Sequence, residues 1–109
     1  MVEVNSLDTP NFWVYMLYCK NASFYTGYTT NLCQRYSAHL RGVAAKYTRS
    51  FPPLFLVSCW PIYGSKREAM QIERLIKKMD KRVKQLLIED PMSLEQLFVE
   101  SYAKSIGDR

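Results

Sequence analysis

Residues Phe12 to Cys19 read Phe-Trp-Val-Tyr-Met-Leu-Tyr-Cys, an unbroken apolar and aromatic run. Its length constrains the fold more than any other feature of the chain. A membrane helix needs roughly 20 apolar residues, and a typical globular helix runs to about 11–12. A short run rich in aromatic and β-branched residues fits a buried strand instead. The polar stretch Lys20-Asn21-Ala22-Ser23 then offers a turn, and Phe24 to Tyr28 continues as a second strand, so the pair reads as a hairpin. Gly27 inside that strand marks a bulge, or a place where another backbone or a ligand comes close. Strand alternation puts Trp13, Tyr15 and Leu17 on one face of the first strand, and Tyr25 and Gly27 on one face of the second.

Beyond the hairpin the period changes. Thr29-Thr30-Asn31 supplies helix N-caps, and Leu32, Tyr36 and Leu40 recur every four residues along one helical face. Gly42 ends that helix. Residues 42–53 read as a loop closed by Pro52-Pro53. Leu54 to Ile62 reads as a third strand, with Pro61 suggesting an edge or a bulge. Ser65 and Glu68 form a capping box, opening a helix whose stripe is Ala69, Ile72, Leu75, Ile76 and Met79. Lys81 to Ile88 is a further short helix, broken by Asp90-Pro91. Ser93 to about Lys104 reads as a last helix, with a second capping box (Ser93, Gln96) and a Met92–Leu97 staple. The expected fold is α+β: a small three-stranded antiparallel or mixed sheet flanked by helices in ββαβα order, with an extra C-terminal helix.

A chain of 109 residues has room for one domain. We divide it into a lead-in over residues 1–11, a folded domain over 12–89 and an acidic amphipathic tail over 90–109. Leu94, Leu97, Phe98 and Tyr102 of that tail would pack on the domain or on a second copy, a homodimer contact. The cysteines Cys19, Cys33 and Cys59 are odd in number and irregularly spaced. With one histidine in the chain they do not make a zinc site. Met1-Val2-Glu3-Val4-Asn5 does not read as a signal peptide, so free thiols in a reducing cytoplasm are expected. No apolar run is long enough for a membrane span, and no glycine-rich nucleotide motif points to an organic cofactor.

The net charge of +5 is unevenly spread. Residues 9–84 carry 13 bases against three acids, while residues 1–8 carry two acids and residues 85–109 five acids against two bases. The bases concentrate between Arg35 and Arg49 and between Lys66 and Lys84, which points to a polyanionic partner. The acidic tail is expected to restrain that surface by folding across it.

Between Asp8 and Glu68 there is no acidic residue. A paired-carboxylate mechanism therefore has no source in the strand–strand–helix half. What remains is a set of Tyr, Arg, His and Lys, with one well-placed Glu. Arg35 and His39 are four apart, so they share one side of their helix. They form either a solvated polar face, or an arginine for a phosphate oxygen beside a histidine within proton-transfer reach. Glu73 lies about 100° from Ile72, at the border of the apolar stripe. It either pairs with Lys77 one turn on, or serves as the single carboxylate ligand of a Mg²⁺ ion. Tyr15, Tyr18, Tyr25 and Tyr28 crowd the hairpin. Strand tyrosines usually pack, but a phenol beside a cation or metal also works as a general acid or base.

In their order and spacing these residues resemble the GIY-YIG nuclease superfamily. Trp13-Val14-Tyr15 stands at the first motif and Tyr25-Thr26-Gly27 at the second. Thr29-Thr30-Asn31, Arg35, His39 and Glu73 follow in place. Within the superfamily the chain most resembles small stand-alone bacterial proteins. It departs from the common pattern where only Tyr15 remains of the first motif, where Thr26 replaces an aliphatic residue and where Tyr28 replaces a frequent lysine. Gln85 stands near a position where some of the enzymes carry an asparagine. The resemblance implies Mg²⁺- or Mn²⁺-dependent endonuclease hydrolysis of DNA, in repair or in processing of structured or single-stranded DNA. It implies Tyr15 or His39 as activator of the water, Tyr25 as a positioning group, Arg35 on the scissile phosphate and Glu73 on the metal. Gly27 would keep the strand surface open, and Gly27, Thr29, Lys46, Arg49 and Lys77 are the expected substrate contacts. The alternative is a non-catalytic nucleic-acid-binding module with a degenerate site.

Overall fold

A computed structural model describes residues 9–97 of the chain. Strands β1 (Phe12–Cys19) and β2 (Phe24–Thr29) form the hairpin, and β3 (Pro53–Ile62) pairs antiparallel with the other edge of β1. The sheet order is β2-β1-β3. Among the described residues it is accompanied by α1 (Leu32–Leu40), α2 (Lys46–Ser50), α3 (Lys66–Lys78) and α4 (Lys81–Glu89), with a further helical segment at residues 93–97. This is the expected α+β architecture, with every pairing antiparallel. Among the described residues no helix is long and apolar enough to cross a membrane.

β1 is the central strand and is covered on both faces, which is why its sequence lacks polar alternation. On one face Val14 and Met16 join Trp60 and Ile62 of β3, Ala69 and Ile76 of α3, Leu87 of α4 and Leu94. On the other, Tyr15, Leu17 and Cys19 pack with Leu32 and Tyr36 of α1 and with Leu56 and Cys59 of β3. Side-chain caps start α1 and α3 where the sequence places them, and a further cap, Asp80, starts α4. Asn31 accepts from the Gln34 amide at 3.0 Å, Ser65 from Glu68 at 3.2 Å and Asp80 from Val83 at 2.9 Å. Each such cap contributes about 1 kcal/mol. Thr26, the residue that breaks the aliphatic pattern, is buried with its hydroxyl unpartnered.

Several details differ from the sequence reading. The span read as a loop contains α2, a five-residue helix whose N-cap Ala45 makes no side-chain cap bond. Nothing local announces such a helix; tertiary contacts hold it. Gly27 marks no bulge: the β1–β2 register runs unbroken from Trp13 to Tyr18, and the irregularities fall between β1 and β3. On α1, Leu40 is 55 % exposed, and its neighbour His39 is the residue turned inward, at 1 %. Residues 93–97 are helical, as expected; the Ser93 hydroxyl donates to the Asp90 carbonyl at 2.7 Å, and Met92 is exposed rather than stapled. Leu94 packs into the domain's own core, and Leu97 packs against it. Phe98, Tyr102, the rest of the acidic tail and residues 1–8 of the lead-in lie outside the described residues.

Candidate active site

The site begins at the middle of β1. Tyr15 pairs across the hairpin with Gly27. A Cβ at position 27 would lie 2.5 Å from Tyr15 Oη and 2.7 Å from its Cζ. Glycine is therefore required here by the phenol, which lies over β2 in the space a side chain would fill. Behind Tyr15 sits His39, whose Nε2 is 2.7 Å from the phenol oxygen. Its Nδ1 is 2.7 Å from Thr48 Oγ1, and the Thr48 hydroxyl lies 3.4 Å from the Ala45 carbonyl. One assignment of protons satisfies the whole chain. Thr48 donates to the carbonyl and accepts from His39 Nδ1–H, leaving Nε2 bare to accept the Tyr15 proton.

Electrostatics fit that assignment. Burial holds the His39 pKa down at about 4, and the Arg35 guanidinium pushes the same way. Burial drives the Tyr15 phenol far above its usual range; Tyr25 and Glu73 add to the rise and Arg35 opposes it. At rest the pair is thus a neutral imidazole and a neutral phenol. Stability carries the mark of this. The unfolded chain protonates His39 below its ordinary pKa of 6.5, whereas the folded chain resists until about pH 4. The His39 contribution is complete above pH 6.5 and is lost as the pH falls towards 4. Denaturation midpoints across that window should drop with acid, by up to about 3 kcal/mol. A His39→Gln variant should show a flatter profile.

Tyr15 opens onto a cleft of about 450 Å³ lined also by Tyr25, Gly27, Thr29, Arg35 and Glu73. Phe12, Tyr28, Thr30 and Lys66 complete its walls. Four of the five expected catalytic residues therefore meet in one cavity. The fifth, His39, lies behind it, edge-on to Tyr15 at 5.6 Å and to Tyr25 at 5.1 Å between ring centres. Of the expected substrate contacts, Thr29 lines the cleft, although its hydroxyl is engaged with the Asn31 backbone. Lys46 and Arg49 are exposed on α2, outside the walls. Lys77 reaches the cleft through Glu73, its ion-pair partner at 2.9 Å. Both readings of Glu73 meet here: it is paired as helix geometry suggests, and it still faces the cleft.

Sequence reasoning missed two residues. Lys66 sits at the first turn of α3, and only the packing of that helix brings it to the cleft. Thr48 is fully buried against His39, yet its helix carried no local signal. Among the described residues no three His, Cys, Asp or Glu side chains cluster as a metal cage. One carboxylate beside two phenols does not suit zinc. It suits a hard cation that keeps waters and takes phosphate oxygens as its other ligands. Glu73 is the residue able to hold one.

Residues 11–86 match the GIY-YIG catalytic domain. The chain is 45% identical over 78 residues to the UPF0213 protein BH0048 of Halalkalibacterium halodurans, covering 72% of this chain and 82% of that one. It is 38% identical over 96 residues to the UPF0213 protein YazA of Bacillus subtilis, covering 87% and 96%. A solution NMR structure of UPF0213 protein BH0048 from Bacillus halodurans shares 40% identity over 77% of this chain and 92% of that chain, with a TM-score of 0.46. Tyr15, Tyr25, Arg35, His39, Thr48 and Glu73 all fall inside the matched span. The chain belongs to the GIY-YIG family, a nuclease superfamily.

Proposed function

We propose that the protein is a divalent-metal-dependent endonuclease that hydrolyses phosphodiester bonds in DNA. One observation carries the reading: a phenol backed by a buried neutral imidazole opens onto the same cleft as an arginine and a single carboxylate. Glu73 would hold Mg²⁺ or Mn²⁺, which supplies polarisation of the phosphate and support for the leaving oxygen. Tyr15 Oη takes a proton from the attacking water as its own proton passes to His39 Nε2. Thr48 holds the resulting imidazolium through Nδ1–H. Tyr15 lines the cleft and His39 does not, so the phenol is the group placed to meet water. Arg35 donates to the non-bridging oxygens as their charge grows. Tyr25 orients the water or the phosphate. With Glu73 holding the metal, Lys77 would be free to pair with the substrate backbone.

The basic stretch from residue 9 to residue 84 supports DNA as the partner. Repair or processing of structured or single-stranded DNA is the setting we assign. The free thiols of Cys19, Cys33 and Cys59 suit a reducing cytoplasm. A nicking assay on supercoiled and branched DNA tests the reading. Cleavage should require Mg²⁺ or Mn²⁺ and stop on chelation. Equal background cleavage from wild-type and Glu73→Ala protein would overturn it and leave the non-catalytic binding module in its place.

A further inference from the structure

Outside the cleft, aromatic rings and lysines gather at the hairpin turn. Tyr25 lines the cleft and stacks on Tyr47 of α2, with ring centres 5.9 Å apart and planes 22° from parallel. Tyr47 in turn meets Phe51 at 5.2 Å. Phe51 ends this ladder 40 % exposed, with no further ring against it among the described residues. The Tyr47 hydroxyl is anchored in the turn by Asn21 Nδ2 at 3.0 Å and by Ser23 Oγ. The rings thus lead from the scissile site out to solvent.

The first turn of α4 meets the same hairpin turn. Lys81 Nζ donates to the Ala22 carbonyl at 2.6 Å, and Lys84, three residues on, shares that side of the helix. Lys84 is half-buried and has no carboxylate within ion-pair distance among the described residues. Burial lowers its pKa; the Tyr47 phenol opposes that fall, and Lys77 adds to it. A lysine held partly out of water without an acid of its own is costly unless an anion arrives to pair with it.

We infer that Phe51 and Lys84 form a strand-binding subsite for unpaired DNA, in which Phe51 stacks a base and Lys84 takes a backbone phosphate as the strand leaves the cleft past Tyr25. Base-on-ring stacking with a flanking cation tracks single strands without reading sequence. An unpaired strand fits because a duplex keeps its base faces covered by their own neighbours. The subsite rests on the nuclease reading for its purpose, but its binding is measurable without cleavage.

The test uses the full chain in EDTA with a fluorescent oligothymidine, the same oligomer carrying abasic positions, and a blunt duplex of equal length. Phe51→Ala should weaken oligothymidine binding about tenfold or more while hardly changing binding of the abasic oligomer. Lys84→Gln, which keeps most of the side chain's bulk, should weaken both single strands several-fold. It should also flatten the slope of log affinity against log salt by about 0.7. Thermal melting of each variant shows that it is folded. Unchanged oligothymidine affinity in both folded variants would overturn the subsite and leave the ladder as a clamp for α2. So would equal losses on the blunt duplex. If both variants lose single-strand affinity as stated but wild type never cleaves, the nuclease reading fails and the subsite stands.

Discussion

Tyr15→Phe should abolish cleavage while leaving DNA bound. The ring keeps its volume and its seat over Gly27, so the core on that side of the sheet is preserved. What disappears is one oxygen. With it goes the group that accepts the water's proton, a contribution of about 10²–10⁴-fold to a hydrolytic rate. The variant also strands His39 Nε2, a buried acceptor whose partner is removed. That costs about 1–3 kcal/mol, so the melting temperature should fall although the fold persists. Single-turnover cleavage at saturating DNA, set beside the binding constant, separates these effects. A folded Tyr15→Phe protein that cuts at the wild-type rate would remove the phenol from the mechanism.

Glu73→Gln should produce the opposite signs in binding and in cleavage. The amide matches the carboxylate in shape but is a poor ligand for a hard cation, so metal support of the phosphate is lost. Several kcal/mol of charge stabilisation depend on it, equivalent to a rate loss on the order of 10³-fold. Higher Mg²⁺ or Mn²⁺ should recover part of the rate, shifting the metal-dependence curve to the right. Meanwhile Lys77 loses its ion-pair partner, and the cleft loses a negative charge that faces phosphate. DNA affinity in chelator should therefore rise by a few-fold. A metal-dependence curve identical to wild type would take the metal role from Glu73.

The hairpin, the three-stranded α+β layout and the capped starts of α1 and α3 were legible because each rests on local rules: a short apolar run, turn residues, Asn31 and Ser65 as caps; the pairing of β3 with β1 is a long-range choice that no local rule announces. Tyr15, Tyr25, Arg35 and Glu73, singled out through the family resemblance, line one cleft. The inward turn of His39 was not legible, because the apolar stripe of α1 suggested Leu40 for that position. The histidine wins the interior because two partners, Tyr15 and Thr48, satisfy both ring nitrogens. Thr48 itself was illegible for a similar reason: α2 is too short to show a period, and it is held by Tyr47 and Thr48 rather than by propensity. Gly27 was noticed for the right property and the wrong occupant. The close approach is by a side chain of the neighbouring strand, which no one-strand pattern encodes.

The chain of bonds that starts at Tyr15 has only one open end. It passes through a histidine that is 1 % exposed and a fully buried threonine, and it stops at the Ala45 backbone carbonyl, which has no proton to pass on. In the proposed mechanism a proton lent to His39 during attack would return along the same Tyr15–His39 hydrogen bond before the next substrate is cut. Under the proposed mechanism the imidazole would act as a single-place reservoir, filled and emptied from the cleft side. Regeneration of the catalyst is then tied to what occupies that cleft, and a lingering product delays the return of the proton as well as the next binding event.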